Sequence, residues 1–268
     1  MRKVRPRSNL HRGQNSDPTC QRDAFRRLEP FAATSPERFI FVIMRAGSPT
    51  PQNPTAERAR GIRKGALGRM ARYQHRDRFY RKANELGLPS RAAFKLEELL
   101  ARFKLVGEGG RVIDLGCAPG GWLAILTRAV GSAGRVVGID LAPSPRPGTN
   151  VITIAGDVAD PQVRLAVAEA MGSVADLVTS DLAPKLSGIA ERDQAKSREL
   201  LEAALDLAQA LLKPGGAMIA KVFMGPGFEA MRALFAHDFA QVEVVRTRAS
   251  RPGSSELYIV ARGFQARR

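Results

Sequence analysis

The sequence contains few of the residues that form disulfide frameworks and metal centres. Two cysteines, Cys20 and Cys117, and three histidines, His11, His75 and His237, are spread over 268 residues. They provide neither a disulfide framework nor a cluster with zinc-ligand spacing. We therefore expect a protein of the reducing cytoplasm that holds no metal ion.

Long apolar runs are absent as well. A membrane-spanning helix needs about 20 consecutive apolar residues, and the sequence contains no such run. The short apolar stretch 39–44 follows a polar and charged segment that lacks the apolar core of a signal peptide. The sequence therefore predicts no membrane span and no secretory signal.

Acidic residues are far outnumbered by basic residues only in the first third of the chain. The formal net charge is +16 at pH 7. Residues 1–90 carry 20 Lys and Arg against 7 Asp and Glu, whereas residues 91–268 carry 22 against 19. Such an asymmetry favours a polyanionic partner, above all nucleic acid. The alternative is a solvated basic tail without a dedicated partner.

Residues 1–66 form the first part of this basic region. They scatter Pro, Ser, Asn and Gln among basic residues without sustained periodicity, which predicts a disordered extension before a domain over 67–268. An ordinary flexible start follows Met44, so we expect translation to begin there or later. An intact-mass measurement on the native protein checks this, and a mass that includes Met1 would contradict it.

The second part of the basic region, residues 69–86, predicts a helix. Its arginines are interleaved with Tyr73, Phe79 and Tyr80. The arginines can meet phosphates, and the aromatic rings either stack on bases or anchor the helix to the domain. For Phe79 and Tyr80 we favour the anchoring role.

The domain is organised around residues 112–122. The apolar run 112–115 predicts a buried strand, and Gly116, Gly120 and Gly121 predict a tight turn before an amphipathic helix. In such a unit the turn brings the backbone close to a ligand, and the helix N-terminus directs amides toward it. The spacing G-x-x-x-G-G departs from the G-x-G-x-x-G of dinucleotide sites.

Carboxylates stand at the ends of the next three predicted strands. Asp140 follows the turn by about 20 residues, where related folds hold a ribose diol; the alternative is a turn or N-cap residue. The third strand ends at Gly156 and Asp157, where a carboxylate or its neighbouring amides can contact an adenine. The fourth places Asp181 at its carboxyl end, the edge at which open α/β sheets bind ligands.

Two lysines occupy unequal positions in this pattern. Ser90 predicts the N-cap of a helix over 91–100, whose apolar stripe leaves Lys95 off centre, as a solvated charge usually is. Lys221 interrupts the apolar strand 217–223, where a lysine is rarely buried without cause. The alternative is an edge strand that leaves Lys221 in solvent.

Seven predicted strands alternate with helices until the last pair, and Glu256 begins the final strand. This alternation predicts an α/β fold with a doubly wound sheet, whose final hairpin adds an antiparallel strand.

Five separated segments, in this order, resemble the FtsJ/RrmJ-type (RlmE) RNA ribose 2′-O-methyltransferases. They are residues 90–96, 114–122, 180–184, 221–223 and 254–258, and the similarity covers about residues 69–263. The resemblance implies the Rossmann-like fold of methyltransferases that use S-adenosylmethionine (SAM). One departure is Cys117, which stands where the bacterial enzymes commonly have alanine.

The resemblance also implies the site residues. A Lys-Asp-Lys-Glu catalytic tetrad falls on Lys95, Asp181, Lys221 and Glu256. The residues expected to contact SAM are Gly116, Gly120, Trp122, Asp140, Asp157 and Asp181.

The chemistry of methyl transfer agrees with such a tetrad. Transfer from a sulfonium is an in-line displacement, and a ribose 2′-hydroxyl is a weak nucleophile that needs a base beside it. Our hypothesis makes Lys221 the base, with Lys95 and Glu256 orienting the hydroxyl and tuning Lys221. Asp181 would bridge the cofactor and the base. Lys95 and the sulfonium would supply the positive charge that favours the neutral amine.

The substrate implied by the resemblance is a uridine ribose in 23S-type ribosomal RNA, presented on an assembled or nearly assembled large subunit to a monomeric enzyme. A transfer RNA methyltransferase of the same family remains open. So do a non-enzymatic ribosome-assembly factor on a methyltransferase fold and a small-molecule methyltransferase. The tetrad argues against the assembly factor, and the basic front end argues against the small-molecule enzyme.

Overall fold

The computed structural model describes residues 85, 90–185, 187–251 and 253–266. The expected extension 1–66 and all but Glu85 of the expected basic helix lie outside the described residues. The elements there are, in chain order, α1 (Ala92–Phe103), β1 (Arg111–Leu115), α2 (Gly121–Val130), β2 (Arg135–Asp140), β3 (Val151–Ala155), α3 (Pro161–Met171), β4 (Ala175–Ser180), α4 (Ala190–Leu211), β5 (Leu212–Phe223), α5 (Phe228–Asp238), β6 (Phe239–Val245) and β7 (Glu256–Phe264).

Within the described residues these strands form one seven-stranded sheet in the order β3-β2-β1-β4-β5-β7-β6. Strands β1 to β5 pair in parallel, and β7 lies antiparallel between β5 and β6. The predicted α/β sheet with a final antiparallel strand is therefore confirmed. The chain leaves β1 toward β2 on one side and returns to β4 on the other, which opens a crevice at their carboxyl ends.

Helices cover both faces of the sheet, and this explains the apolar strands. Val112, Ile113 and Leu115 of β1 have no exposed surface. Helices α3, α4 and α5 pack on one face, and α1 and α2 pack on the other. A parallel strand buried on both faces loses the alternation of apolar and polar residues.

The first helix starts one residue later than predicted. Arg91 is its N-cap and makes no side-chain capping bond. Ser90, the predicted cap, lies instead against α2, where a Cβ on Gly121 would come within 2.4 Å of the Ser90 hydroxyl. The Ser90 side chain therefore packs between α1 and α2 and does not cap α1 as the local pattern predicted.

The fifth strand also differs from the prediction. The predicted strand began at residue 217, but β5 begins at Leu212 and includes residues 213–216. Ala175 of β4 pairs with Leu212 and Leu177 pairs with Ala217, so the intervening residues form a bulge.

No helix in the described ranges combines the length and the apolarity needed to cross a membrane.

Candidate active site

The structure brings together Lys95, Asp181, Lys221 and Glu256 from four elements. Lys95 lies on α1, Asp181 directly follows β4, Lys221 lies in β5 and Glu256 begins β7. Antiparallel pairing places Lys221 opposite Tyr258 and Phe223 opposite Glu256. Because side chains alternate between faces along a strand, Lys221 and Glu256 lie on the face that α1 covers.

Lys95 and Glu256 form a double contact. The Lys95 ammonium donates to Glu256 Oε1 at 2.6 Å and to Oε2 at 2.7 Å. Its side chain is 7% exposed. The off-centre position predicted a solvated charge, and that interpretation is wrong, because β7 brings a carboxylate to this side of α1.

Lys221 is held by Asp181 in two ways. Its Nζ donates to the Asp181 backbone carbonyl at 2.6 Å and lies 3.1 Å from the carboxylate Oδ1. Strand β5 lies between β4 and β7. The alternative of an edge lysine in solvent is therefore wrong, and its side chain is 9% exposed.

Tyr258 belongs to this cluster and was not singled out from the sequence as a site residue. It has no exposed surface, and its hydroxyl donates to Asp181 Oδ1 at 3.4 Å. Its ring centroid lies 5.8 Å from the Lys95 ammonium. The available signal was the two-residue spacing from Glu256, which puts both side chains on one face of β7.

Burial and charge act on the acidic groups of this cluster in opposite directions. Burial raises the pKa of the Asp181 carboxyl, and the charges of Lys221 and Lys95 oppose that rise. Burial alone would also raise the pKa of Glu256, but the hydrogen bonds and charge of Lys95 bring it below its ordinary value. The pKa of the Tyr258 hydroxyl is well above its ordinary value because of burial and the neighbouring carboxylates.

A cavity of about 910 Å³ opens at the carboxyl ends of β1, β2 and β4. Four of the predicted cofactor residues line it: Gly116, Asp140, Asp157 and Asp181. Its size is within the range of small-molecule sites. Asp181 is both a wall of the cavity and a member of the lysine cluster, so the cavity and the cluster are adjacent.

The turn after β1 passes close to the chain beyond β4. Gly116 has φ +78, and a Cβ there would lie 3.0 Å from the backbone nitrogen of Leu182. A side chain at this position would therefore be strained and crowded, which explains the glycine.

Asp140 serves the turn as well as the cavity. Its Oδ2 accepts from the Ala118 amide at 3.0 Å, and its Oδ1 accepts from the Ala142 amide at 2.9 Å. The Asp140 carboxylate therefore stabilises the turn, as the alternative interpretation predicted, and also lines the cavity. Asp157 similarly accepts from the Ala159 amide at 2.9 Å while lining the cavity.

The family model of FtsJ-like methyltransferases matches residues 88–264. The chain belongs to this family. Proteins named ribosomal RNA large subunit methyltransferase E are 44% identical over 73% of this chain in Anaeromyxobacter dehalogenans and 42% identical over 88% in Gluconobacter oxydans. These alignments cover 73% and 88% of the two relatives.

A solved structure agrees with this membership. An inferred ribosomal RNA methyltransferase from Plasmodium falciparum superposes with a TM-score of 0.59 at 25% identity. The match covers 67% of this chain and all of the other. The family and the methyltransferase fold expected from the sequence motifs are thus confirmed.

Membership in the FtsJ-like family implies SAM as the methyl donor, and the cavity residues fit such a ligand. Asp140 and Asp157 line the wall near the ends of β2 and β3, where carboxylates can accept hydrogen bonds from a ribose and an adenine. Asp181 lines the cavity and contacts Lys221, so its carboxylate could serve as a counter-charge to the sulfonium of such a ligand.

Two of the predicted SAM contacts of this methyltransferase lie away from the cavity wall. Trp122 is 3% exposed, and its indole nitrogen donates to the Ala92 carbonyl at 2.9 Å. Its ring packs 5.9 Å from that of Tyr258. Gly120 has φ +100 and packs toward Pro145. Their contact with SAM stays a prediction.

Asp114 begins the motif segment 114–122, but its sequence position alone predicted no role for it. It has no exposed surface; Oδ1 accepts from the Thr179 hydroxyl at 2.7 Å, and Oδ2 has no partner among the described residues. Burial raises the pKa of Asp114 to about 8, with Thr179 opposing. The available signal was a carboxylate inside an otherwise apolar strand.

Among the described residues, no group of three His, Cys, Asp or Glu side chains could hold a metal ion.

Proposed function

We propose that this protein transfers the methyl group of SAM to the 2′-hydroxyl of a uridine ribose in large-subunit ribosomal RNA. The observation that supports the reaction most directly is the Lys221 amine, held by Asp181 beside the cavity and next to the Lys95–Glu256 pair. The names of the relatives support the ribosomal substrate.

Lys221 acts as the base in this proposal. A neutral lysine amine has two N–H bonds and one lone pair. The Asp181 carbonyl oxygen and Oδ1 can take both N–H bonds. The lone pair is then left to accept the proton of the acceptor hydroxyl as its oxygen attacks the methyl carbon.

Lys95 and Glu256 orient the acceptor hydroxyl. Their double contact keeps a donor and an acceptor side by side. A fixed pair can hold a hydroxyl in line with the methyl group at no further cost in side-chain ordering. SAM supplies the electrophilic methyl group when it is bound, and the chain supplies alignment and the base.

The proposal also covers the RNA substrate, the oligomeric state of the enzyme and its compartment. The described domain has no separate RNA-binding module, so a structured large subunit supplies the shape that is recognised. The enzyme works as a monomer in the cytoplasm.

The decisive experiment measures tritiated methyl transfer from SAM to large ribosomal subunits that lack the modification. Transfer RNA and naked ribosomal RNA are assayed in parallel, and the product is mapped for 2′-O-methylation. Labelling of subunits at a uridine 2′-oxygen supports the proposal. Labelling of transfer RNA alone would refute the proposed substrate. Binding of SAM without labelling of any RNA would refute the proposed activity.

A further inference from the structure

A chain of hydroxyl groups joins the loop between β6 and β7 to the lysine cluster. The Ser250 hydroxyl donates to Glu256 Oε1 at 3.1 Å, and the Thr247 hydroxyl oxygen lies 3.0 Å from that of Ser250. Thr247 is 3% exposed, and Ala249 is also buried. Ser250 is half-buried. A buried hydroxyl is costly unless it is hydrogen-bonded, so the Thr247 hydroxyl depends on its contact with Ser250.

The backbone of the same loop is fixed to α1. The Arg248 amide donates to Glu98 Oε2 at 3.0 Å, and Arg248 Nε lies 3.4 Å from Glu98 Oε1. Glu98 follows Lys95 by three residues, so both side chains project from neighbouring positions on α1. The loop is therefore held between α1 and the first residue of β7.

These contacts converge on one carboxylate. Glu256 Oε1 accepts from both Lys95 and Ser250, whereas Oε2 accepts from Lys95. Lys95 alone leaves the carboxylate able to pivot about the ammonium. The second donor on Oε1 comes from the loop between β6 and β7, whereas Lys95 lies on α1, so the two donors together restrict rotation of the carboxylate.

We propose that Ser250, held in turn by Thr247, is a positioning residue that fixes Glu256 for methyl transfer. Neither hydroxyl touches the reacting atoms in this assignment, and both act through the carboxylate. The inference rests on the proposed function, because the task of Glu256 is defined there. It adds two positioning hydroxyls, those of Ser250 and Thr247, to the residues that support the proposed active site.

The test compares three variants that each alter one side chain in this loop. Ser250→Ala removes the donor, Ser250→Thr keeps a hydroxyl, and Ser255→Ala is the matched control. Ser255 is exposed, and the structure uses its backbone carbonyl, which accepts from the Met224 amide. We expect Ser250→Ala to lower kcat about tenfold, the loss of one hydrogen bond to a charged group, with KM for SAM unchanged. Ser250→Thr restores kcat, and Ser255→Ala matches the wild type.

A spectroscopic measurement separates positioning from loss of stability. The pKa of Glu256 is followed by carbon NMR of protein labelled at the Glu carboxyl and assigned with Glu256→Gln. Removing a donor to the charged form raises a carboxyl pKa, so the Glu256 titration moves upward in Ser250→Ala and returns in Ser250→Thr. The other groups that face Glu256 are Lys95 from α1, Asp181 after β4, Lys221 from β5 and Tyr258 from β7, and all are unchanged.

A second variant keeps the test valid if Ser250→Ala does not fold. Thr247→Val keeps the shape and removes the hydroxyl that holds Ser250, and we expect a loss in kcat of about threefold. The proposal is overturned by a wild-type kcat and an unmoved Glu256 titration in Ser250→Ala, or in Thr247→Val if Ser250→Ala does not fold. Failure of Ser250→Thr to restore the kcat lost in Ser250→Ala also overturns it. If the wild type methylates no RNA, the proposed function fails, whereas the NMR titration still decides whether Ser250 positions Glu256.

Discussion

The Lys95 ammonium lies within 2.7 Å of both carboxylate oxygens of Glu256, across 161 positions of sequence. The two side chains are 7% and 15% exposed. Each charge has lost most of its water, and the other charge is the main compensation. Neither residue is therefore tolerated well without its partner.

Removing one member of this pair is expected to be more harmful than removing both. Lys95→Met leaves Glu256 as a buried charge, and we expect the free energy of unfolding to fall by about 3 kcal/mol. The double variant Lys95→Met with Glu256→Leu regains most of that stability but remains inactive. Urea unfolding measures both, and equal stability of the wild type and the single variant would contradict the prediction.

The same pair makes stability depend on acid pH. The folded-state pKa of Glu256 lies below its ordinary value of 4.5. Its contribution is therefore fully present above pH 4.5 and is lost as the pH falls through the folded-state pKa. Below about pH 4.5 the wild type should lose stability more steeply than the double variant. Denaturant titrations at a series of pH values measure the free energy of unfolding of both proteins. The same dependence on pH in the wild type and in the double variant would refute this prediction.

Lys221 is expected to be essential for turnover but not for binding of SAM. Lys221→Ala should lower kcat by about 10²- to 10⁴-fold, the contribution of a positioned base. Lys221→Arg should be as inactive, because a guanidinium keeps the charge but does not release its proton. The matched control is Lys213→Ala, on the same strand but 46% exposed and paired with Asp176. Single-turnover methyl transfer and calorimetry of SAM binding check both parts, and an active arginine variant would end the assignment of Lys221 as base.

We expect the ionisation of Asp114 to lower the free energy of unfolding as the pH rises. Its folded-state pKa of about 8 lies above the ordinary value of 3.8, so the folded state keeps a proton that the unfolded chain releases. The stability that this proton supports is fully present below pH 3.8 and is lost as the pH rises toward 8. Asp114→Asn is neutral at every pH, so its advantage over the wild type should grow by up to about 1.4 kcal/mol per pH unit across this window. Denaturation at pH 5 and pH 8 compares them, and a constant difference would exclude a protonated Asp114.

The effects on stability of substitutions at Cys117 and Gly138 are expected to be coupled. A Cβ on Gly138 would lie 2.9 Å from Cys117 Sγ and 2.9 Å from Leu123 Cδ2. Gly138→Ala should therefore cost about 1–3 kcal/mol through overpacking, and Cys117→Ala should relieve part of that cost. Gly107→Ala is the control, because a Cβ there meets nothing within 4 Å. Thermal unfolding of the two single variants, the double variant and the control measures this coupling, and strictly additive losses would contradict it.

The periodicity of the chain was sufficient for most of the fold. Apolar runs with carboxylates at their ends predicted the parallel strands and the edge at which Asp140, Asp157 and Asp181 lie, because each strand carries that information locally. The bulge in β5 was not predictable in this way, since Lys213 and the glycines after it have the composition of a turn. Leu212 and Ala217 pair with β4 on either side of these residues, which therefore become a bulge within β5.

The sequence by itself determined the order of elements, the glycine turn and the family, because these depend on local spacing and on motifs that stand in order along the chain. Only the tertiary structure decided which side chains meet. Lys95 is buried although its helical position predicts a solvated charge, and Tyr258 and Ser250 join the site from β7 and the loop before it. Contacts across more than 150 residues of sequence depend on how β7 is inserted beside β5, and local periodicity carries no information about strand order.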